Sequence, residues 1–286
     1  MELNLSFRSI ELNLQEFQLR GSLIELYTRS VLLDLKYGLT FKLDSIKHKG
    51  ACIMKKILLV VTNISKYPNL ERATGLWLGE AVHFADEIEK EGYQIDYVSP
   101  KGGYTPLDPH SLQADQMTEL DWKYYANHDF LNKLSTTLSA DSINPNDYDA
   151  IYYAGGHGVM WDFAEDESLQ NIAGTIYANG GVVSAVCHGV VGLLNIKNGD
   201  GEYLIKNTKV TGFTNTEEIA VGLDKAVPFL TEDELIRKGA NYVKGADWSV
   251  FTVTDNRIVT GQNPASGGAV AKEVIKVLKS LESSPM

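Results

Sequence analysis

The chain has 286 residues, of which 44% are hydrophobic, 22% charged and 9% aromatic, an ordinary globular balance that excludes a wholly disordered or collagen-like chain. Its 26 Lys and Arg against 37 Asp and Glu leave a formal net charge of −11, which argues against nucleic acid or an anionic membrane as the main partner, since both demand a basic footprint. Two cysteines in different contexts, Cys52 and Cys187, exclude a disulfide-rich scaffold and suit a reducing, cytoplasmic compartment; no apolar run is long enough to span a membrane.

Residues 1–53 hold Leu-rich pieces with weak helical spacing, and at Met54 the text changes to MKKILLVVTN, a start-like Met and two lysines before a buried-strand run. Lys49-Gly50-Ala51 can be encoded so as to contain a bacterial ribosome-binding sequence. Met54 is therefore the expected start of the functional protein and residues 1–53 a doubtful extension; a genuine helical extension is the alternative, and N-terminal sequencing of the native protein separates the two. One domain is expected over 54–281, with 282–286 a short tail.

Within that domain strands and helices alternate. The pattern predicts a strand over Lys56–Asn63, a helix over Gly75–Glu91 stopped by Gly92, and a strand over Gln94–Ser99. The stretch Pro100–Asp147 shows no clear strand and predicts a short helical insertion lying over one end of the sheet. Strands follow over Asp149–Ala154 and Gly181–Val186, flanking a helix over Glu167–Asn179. Lys209–Thr211 and a hairpin over Val250–Thr260, turning at Asp255-Asn256, are further strands; Thr231–Lys238 and Gly267–Leu281 are helices. Alternation of this kind predicts an α/β domain with a mostly parallel central sheet covered on both faces.

Four stations carry chemistry. In GGVVSAVCHG a buried strand runs straight into Cys187, and a helix is expected to start there. Such a turn presents a nucleophile at the carboxyl edge of a sheet, and a helix N-terminus would lower the thiol pKa. A buried structural cysteine is the plainer alternative. Gly155-Gly156-His157-Gly158 lets backbone N–H groups approach a ligand, or is simply a tight turn. Glu80 has apolar neighbours in its helix and could point inward, although a helical glutamate is usually solvated. Glu217-Glu218 could orient a histidine, or serve only as helix-start acids. The six histidines show no HxH or HExxH spacing and CxxC is absent, so no metal is expected; GxGxxG and GxxxxGK[ST] are also absent, and no cofactor is expected.

Taken together, TGLWLGE (Thr74–Glu80), SPKGGYTPLDPHS (Ser99–Ser111), YYAGGHGVMWDF (Tyr152–Phe163), SAVCHG (Ser184–Gly189), TGFTNTEE (Thr211–Glu218) and TGQNPAS (Thr260–Ser266) resemble the DJ-1/PfpI superfamily, in particular its Hsp31-like branch. The resemblance covers about Lys55 to Leu281. It implies a flavodoxin-like three-layer sandwich, often dimeric, with Cys187 as nucleophile, His188 as its partner and an acidic third member at Glu218, Glu217 being the near miss. It also implies Glu80 against the cysteine sulfur, and N–H groups of Gly156 and of the His188 backbone as oxyanion donors, with His157 adjoining the substrate. Many relatives have Pro where this chain has Val190. Class I glutamine amidotransferases are related, but they carry their histidine in an HxE motif, which is missing here.

The branch is associated with cofactor-independent glyoxalase III activity, a hydro-lyase of the D-lactate dehydratase class that turns the 2-oxoaldehyde methylglyoxal into lactate through a thiolate hemithioacetal. Rival readings stand beside it: a protein deglycase that would use the same thiol, a redox sensor, since a low-pKa exposed thiol is easily oxidised, and, implied by the resemblance, a stress-response holdase chaperone whose one candidate apolar surface is Trp122–Phe130, or a peptidase. A homodimer is the expected assembly.

Overall fold

The computed structural model describes Met54–Ser283. The extension 1–53, with Cys52 and His48, and the end of the tail lie outside the described residues. The first strand, β1 (Lys56–Val60), is apolar and buried after its half-buried lysine. Its side chains alternate between two cores: Ile57 and Leu59 on one face, Leu58 and Val60 on the other. The strand can be apolar on both sides because the sheet is covered on both sides.

Helix α1 (Leu78–Lys90) follows, starting three residues later than the sequence pattern suggests. The missing turn is explained by Gly75, whose backbone lies against the Pro106 carbonyl, and by an N–H of Trp77 committed to the Gly155 carbonyl. Strands β2 (Gln94–Ser99) and β3 (Lys101–Gly103) come next, then α2 (Glu119–Tyr125), α3 (His128–Ser135) and β4 (Thr137–Ser139). The segment read as a helical insertion thus holds its helices and, in addition, two strands. Each strand has only three residues, too few to show a period of two, and Leu138 is exposed at that edge. The aromatic run is divided: Phe130 is buried, while Trp122 and Tyr125 face solvent.

Strand β5 (Ala150–Tyr153), α4 (Glu167–Ala178) and β6 (Val182–Val186) form the centre. After β6 the chain continues as β7 (Lys209–Val210), α5 (Asn215–Ala220), α6 (Thr231–Arg237) and β8 (Asn241–Tyr242), the two strands pairing apart from the main sheet. It ends with the hairpin β9 (Thr252–Asp255) and β10 (Ile258–Gly261) and helix α7 (Gly267–Ser283). The hairpin turns where Asp255-Asn256 marks it, with Asn256 at φ 53°.

The main sheet has eight strands in the order β3-β4-β2-β1-β5-β6-β10-β9. The inner pairings are parallel; β3–β4 and β9–β10 at the edges are antiparallel. Helices α1 and α7 cover one face and α4 the other. The result is an α/β flavodoxin-like sandwich. The strand order reverses between β1 and β5, and open sheets of this kind bind ligands beyond the carboxyl ends of strands at such a reversal. Among the described residues no helix is long and apolar enough to cross a membrane.

Candidate active site

Cys187 stands where β6 ends. Val186 still has extended backbone, whereas Cys187 has φ 56°, a left-handed conformation that non-glycine residues seldom adopt. Strain of this kind is held in place by surrounding structure and gathers at functional turns. The chain then enters a 3₁₀ stretch, Cys187–Leu193, entirely buried, in place of the expected α-helix. Val190 lies in the core beneath Gly212.

The line of contacts behind the thiol is short. Cys187 Sγ lies 3.5 Å from His188 Nδ1. His188 Nε2 lies 2.7 Å from Glu218 Oε2, and the other oxygen of that carboxylate, Oε1, lies 2.8 Å from His157 Nε2. All four residues are buried. Burial by itself would raise the Glu218 pKa, but the charge and hydrogen bonds of the two histidines outweigh it and hold the carboxyl well below its ordinary range. With Glu218 ionised, each imidazole donates from Nε2–H, which leaves its Nδ1 free to accept a proton. Burial and the neighbouring His188 push the His157 pKa down.

On the other side of the sulfur is Glu80, on the first turn of α1. It faces inward and is fully buried. Its Oε2 accepts from the Gly155 N–H at 2.6 Å, and its Oε1 has no nitrogen or oxygen partner. Desolvation raises the carboxyl pKa to about 8, with the Gly155 N–H and the Cys187 thiol pulling weakly the other way. Tyr152, stacked on Phe84 at 3.6 Å, donates its hydroxyl to the Glu80 carbonyl and fixes the backbone there.

The thiol itself is not acidified. Burial pushes its pKa well above the ordinary value, and the charge and hydrogen bond of Glu80 push the same way, against a smaller opposing effect of the His188 N–H. The helix-dipole argument fails here because no α-helix begins at Cys187 and the sulfur is out of water. Two acids sharing one buried space lose their protons as a pair; near neutral pH that pair is a neutral thiol beside a neutral carboxyl.

Gly155 and Gly156 make this arrangement possible. A side-chain carbon on Gly155 would sit 2.8 Å from Glu80 Oε2, 2.9 Å from the Gly189 nitrogen and 3.0 Å from the His188 nitrogen. Gly156 has φ 102° and would collide with the Gly75 carbonyl. Gly156, His157, Cys187 and His188 open together onto a cavity of about 380 Å³.

Several wall residues carried no signal in the sequence reading. Phe213 packs on the His188 ring with centroids 4.4 Å apart, and Trp248 meets Phe213 edge-on at 5.7 Å. Arg72, at the cavity rim, reaches His110 Nδ1 at 2.9 Å. Phe213 lies inside TGFTNTEE, whereas Trp248 is a lone aromatic between Asp247 and Ser249, which by itself points nowhere. His83, a turn from Glu80, pairs with Asp121 at 3.2 Å and stays away from the site. Glu217, beside Glu218, turns away from the histidines; its partners are Thr214, Trp248, Gln262 and Asn263. The donor atoms of His157, His188 and Glu218 lie within 4.8 Å of one another, a grouping that could hold a metal ion and that motif spacing does not reveal. Each Glu218 oxygen is already directed at one imidazole.

Comparison with known proteins identifies the family of the chain. The model of the DJ-1/PfpI family matches residues 73–277. The chain is 37% identical to the glutathione-independent glyoxalase HSP31 of Saccharomyces cerevisiae, over 79% of this chain and 98% of that protein. It is 38% identical to glyoxalase 3 of Candida albicans, over 78% and 98% respectively. Among solved structures, Rapid Encystment Protein 24 KDa of Francisella tularensis superposes with a TM-score of 0.75 at 39% identity, covering 79% of this chain and 99% of that one. The crystal structure of glyoxalase III from Candida albicans superposes with a TM-score of 0.73 at 38% identity, covering 78% and 97%. On its motifs, its fold and these matches, the chain belongs to the DJ-1/PfpI family.

Proposed function

We propose that the protein is a cofactor-independent glyoxalase of the glyoxalase III type, converting methylglyoxal and water to lactate. The observation that carries this reading is the buried thiol of Cys187 held between a histidine tied to an ionised carboxylate and a second carboxyl that keeps its proton near neutral pH. The names of the yeast relatives support it.

In this reading His188 Nδ1 takes the Cys187 proton as the sulfur bonds to the aldehyde carbon, and the proton passes to the former aldehyde oxygen, giving a hemithioacetal. N–H groups of Gly156 and His188 serve the developing oxyanion. Glu80, in its ionised form, removes the carbinol hydrogen as a proton, and the electron pair left behind forms an enediol as the neighbouring ketone oxygen is protonated. Glu80 returns its proton to that neighbouring carbon while the hydroxyl on the sulfur-bearing carbon gives up its own, which replaces the one taken by the former ketone oxygen; this leaves the thioester of lactate, and water cleaves it to lactate and the free thiol. Oxidation of one carbon balances reduction of the next, so no outside electron carrier enters. A group that titrates near 8 can both take and give a proton in such a sequence. His157 supports the ionised form of Glu218 and adjoins the substrate. The same reading includes a homodimeric assembly, which light scattering tests, and a reducing compartment, which keeps Cys187 free.

The test is a lactate assay. Protein stripped of metal with a chelator should form lactate from methylglyoxal without glutathione, and Cys187→Ala should abolish it. Full activity in Cys187→Ala would reject the mechanism. Suppression of aggregation that survives this substitution would belong to a holdase instead.

A further inference from the structure

Glu217 is buried, yet none of its partners is a catalytic group. Its Oε1 accepts from the Trp248 N–H at 2.8 Å, from Asn263 Nδ2 at 2.9 Å and from Gln262 Nε2 at 3.1 Å; its Oε2 accepts from the Thr214 N–H at 3.1 Å. The last of these is half of an ordinary capping box at the start of α5. The other three reach out of the helix to two separate segments, both of which line the cavity through Trp248 and Asn263.

Trp248 is the part of this loop that needs holding. Its backbone has φ 62°, and the residue is 49% exposed, so neither conformational preference nor burial keeps it in place. What fixes it is the buried carboxylate behind its N–H, helped by Thr216 Oγ1 on Asp247 at 2.7 Å and by Asn263 on the Ser249 carbonyl at 2.9 Å. Held there, the indole stands edge-on to Phe213, and the two rings form an apolar part of the wall of the cavity onto which Cys187 opens, continued by Val221 and Leu223. The cavity, about 380 Å³, falls in the range of roughly 300–1,000 Å³ that accommodates drug-sized ligands. Methylglyoxal, with a single methyl substituent, leaves most of that wall uncovered.

We propose that Glu217 is a positioning residue which, through the backbone of Trp248, sets the outer wall of the pocket and makes it a binding surface for the apolar substituent of larger 2-oxoaldehydes. The proposal rests on the glyoxalase reading for its substrate class; the latch between Glu217 and Trp248 does not. A phenyl group in place of the methyl lies against Trp248 and Phe213, so an aromatic 2-oxoaldehyde binds the more tightly of the two. Glu217 contributes nothing to bond making at Cys187, and its loss appears in KM for the larger substrate.

The experiment compares methylglyoxal with phenylglyoxal in four proteins: wild type, Glu217→Ala, Glu217→Gln and Trp248→Gly. Wild type should show the lower KM for phenylglyoxal. Trp248→Gly, whose glycine accepts the left-handed backbone without strain, should raise KM for phenylglyoxal relative to methylglyoxal about 3- to 10-fold, the worth of one edge-on aromatic contact. Glu217→Ala should do the same. Glu217→Gln, which can still offer one oxygen to the three donors, should hold the ratio within about twofold. Hydrogen exchange of the peptide containing the Trp248 amide gives a readout free of activity: about tenfold faster or more in Glu217→Ala and near wild type in Glu217→Gln. An unchanged KM ratio in both Trp248→Gly and Glu217→Ala overturns the substrate proposal, and unchanged exchange in Glu217→Ala overturns the latch. If wild type turns over neither aldehyde, the glyoxalase reading and the substrate class fall together, and the exchange result alone decides the latch.

Discussion

Replacing Glu80 by Gln removes one titration from the protein and changes little of its shape. The carboxyl is fully buried and keeps its proton to about pH 8, against 4.5 for an unperturbed glutamate. Between those two values the unfolded chain has released a proton that the folded chain still binds, so the folded state loses stability as pH rises through the window. The full contribution is present below 4.5 and has gone above about 8. At 1.36 kcal/mol per pH unit, the interval from 4.5 to about 8 amounts to about 5 kcal/mol. A glutamine cannot titrate, and its carbonyl can take the Gly155 N–H that Oε2 now accepts at 2.6 Å. Urea unfolding of both proteins from about pH 4 to about pH 9 reads the difference. The two should be matched within about 1 kcal/mol at the acid end, and Glu80→Gln should be the more stable by up to about 5 kcal/mol at the alkaline end. Curves that run parallel across the whole range would refute burial as the source of the raised pKa. The same substitution should cost lactate formation, since the amide neither accepts nor returns the carbinol proton.

Glu218→Gln offers one oxygen and one NH₂ where two imidazole N–H donors now meet two oxygens. One histidine must change tautomer or lose its partner, and kcat should fall about 10²- to 10⁴-fold with a far smaller change in KM. Gly156→Ala places a side chain at φ 102° against the Gly75 carbonyl; a loss of about 3 kcal/mol or more, seen as a Tm lower by about 6–12 °C, is expected from calorimetry. Cys187→Ala should abolish lactate formation while keeping the fold, which circular dichroism checks.

The inner strands were readable because each buried both faces: Lys56–Val60 and Val182–Val186 are nearly continuous apolar runs that no exposed helix would tolerate. The edge strand Lys101–Gly103 and its neighbour Thr137–Ser139 were not, since three residues half in water carry no period and owe their conformation to the strands they pair with. At the site, Cys187, His188, Glu218 and Glu80 were marked by their motifs, but the choice between two adjacent glutamates was not. On a helix consecutive residues point about 100° apart, and only the positions of two distant loops show that Glu217 faces one way and Glu218 the other. The state of the thiol was also out of reach. It depends on what surrounds the sulfur, and the nearest acid lies more than a hundred residues away in the chain.

The close approach that Gly155 allows has a consequence for how this chain can change. A carboxyl from one helix, and two backbone nitrogens from the turn after a distant strand, converge on Gly155 so closely that not even one methyl group fits among them. Three segments far apart in the sequence therefore share a single tolerance. A shift of a few tenths of an ångström in any of them is passed to the acid that shares the cavity with the sulfur, so the loops around this pocket can diversify while these three are bound to drift only in concert.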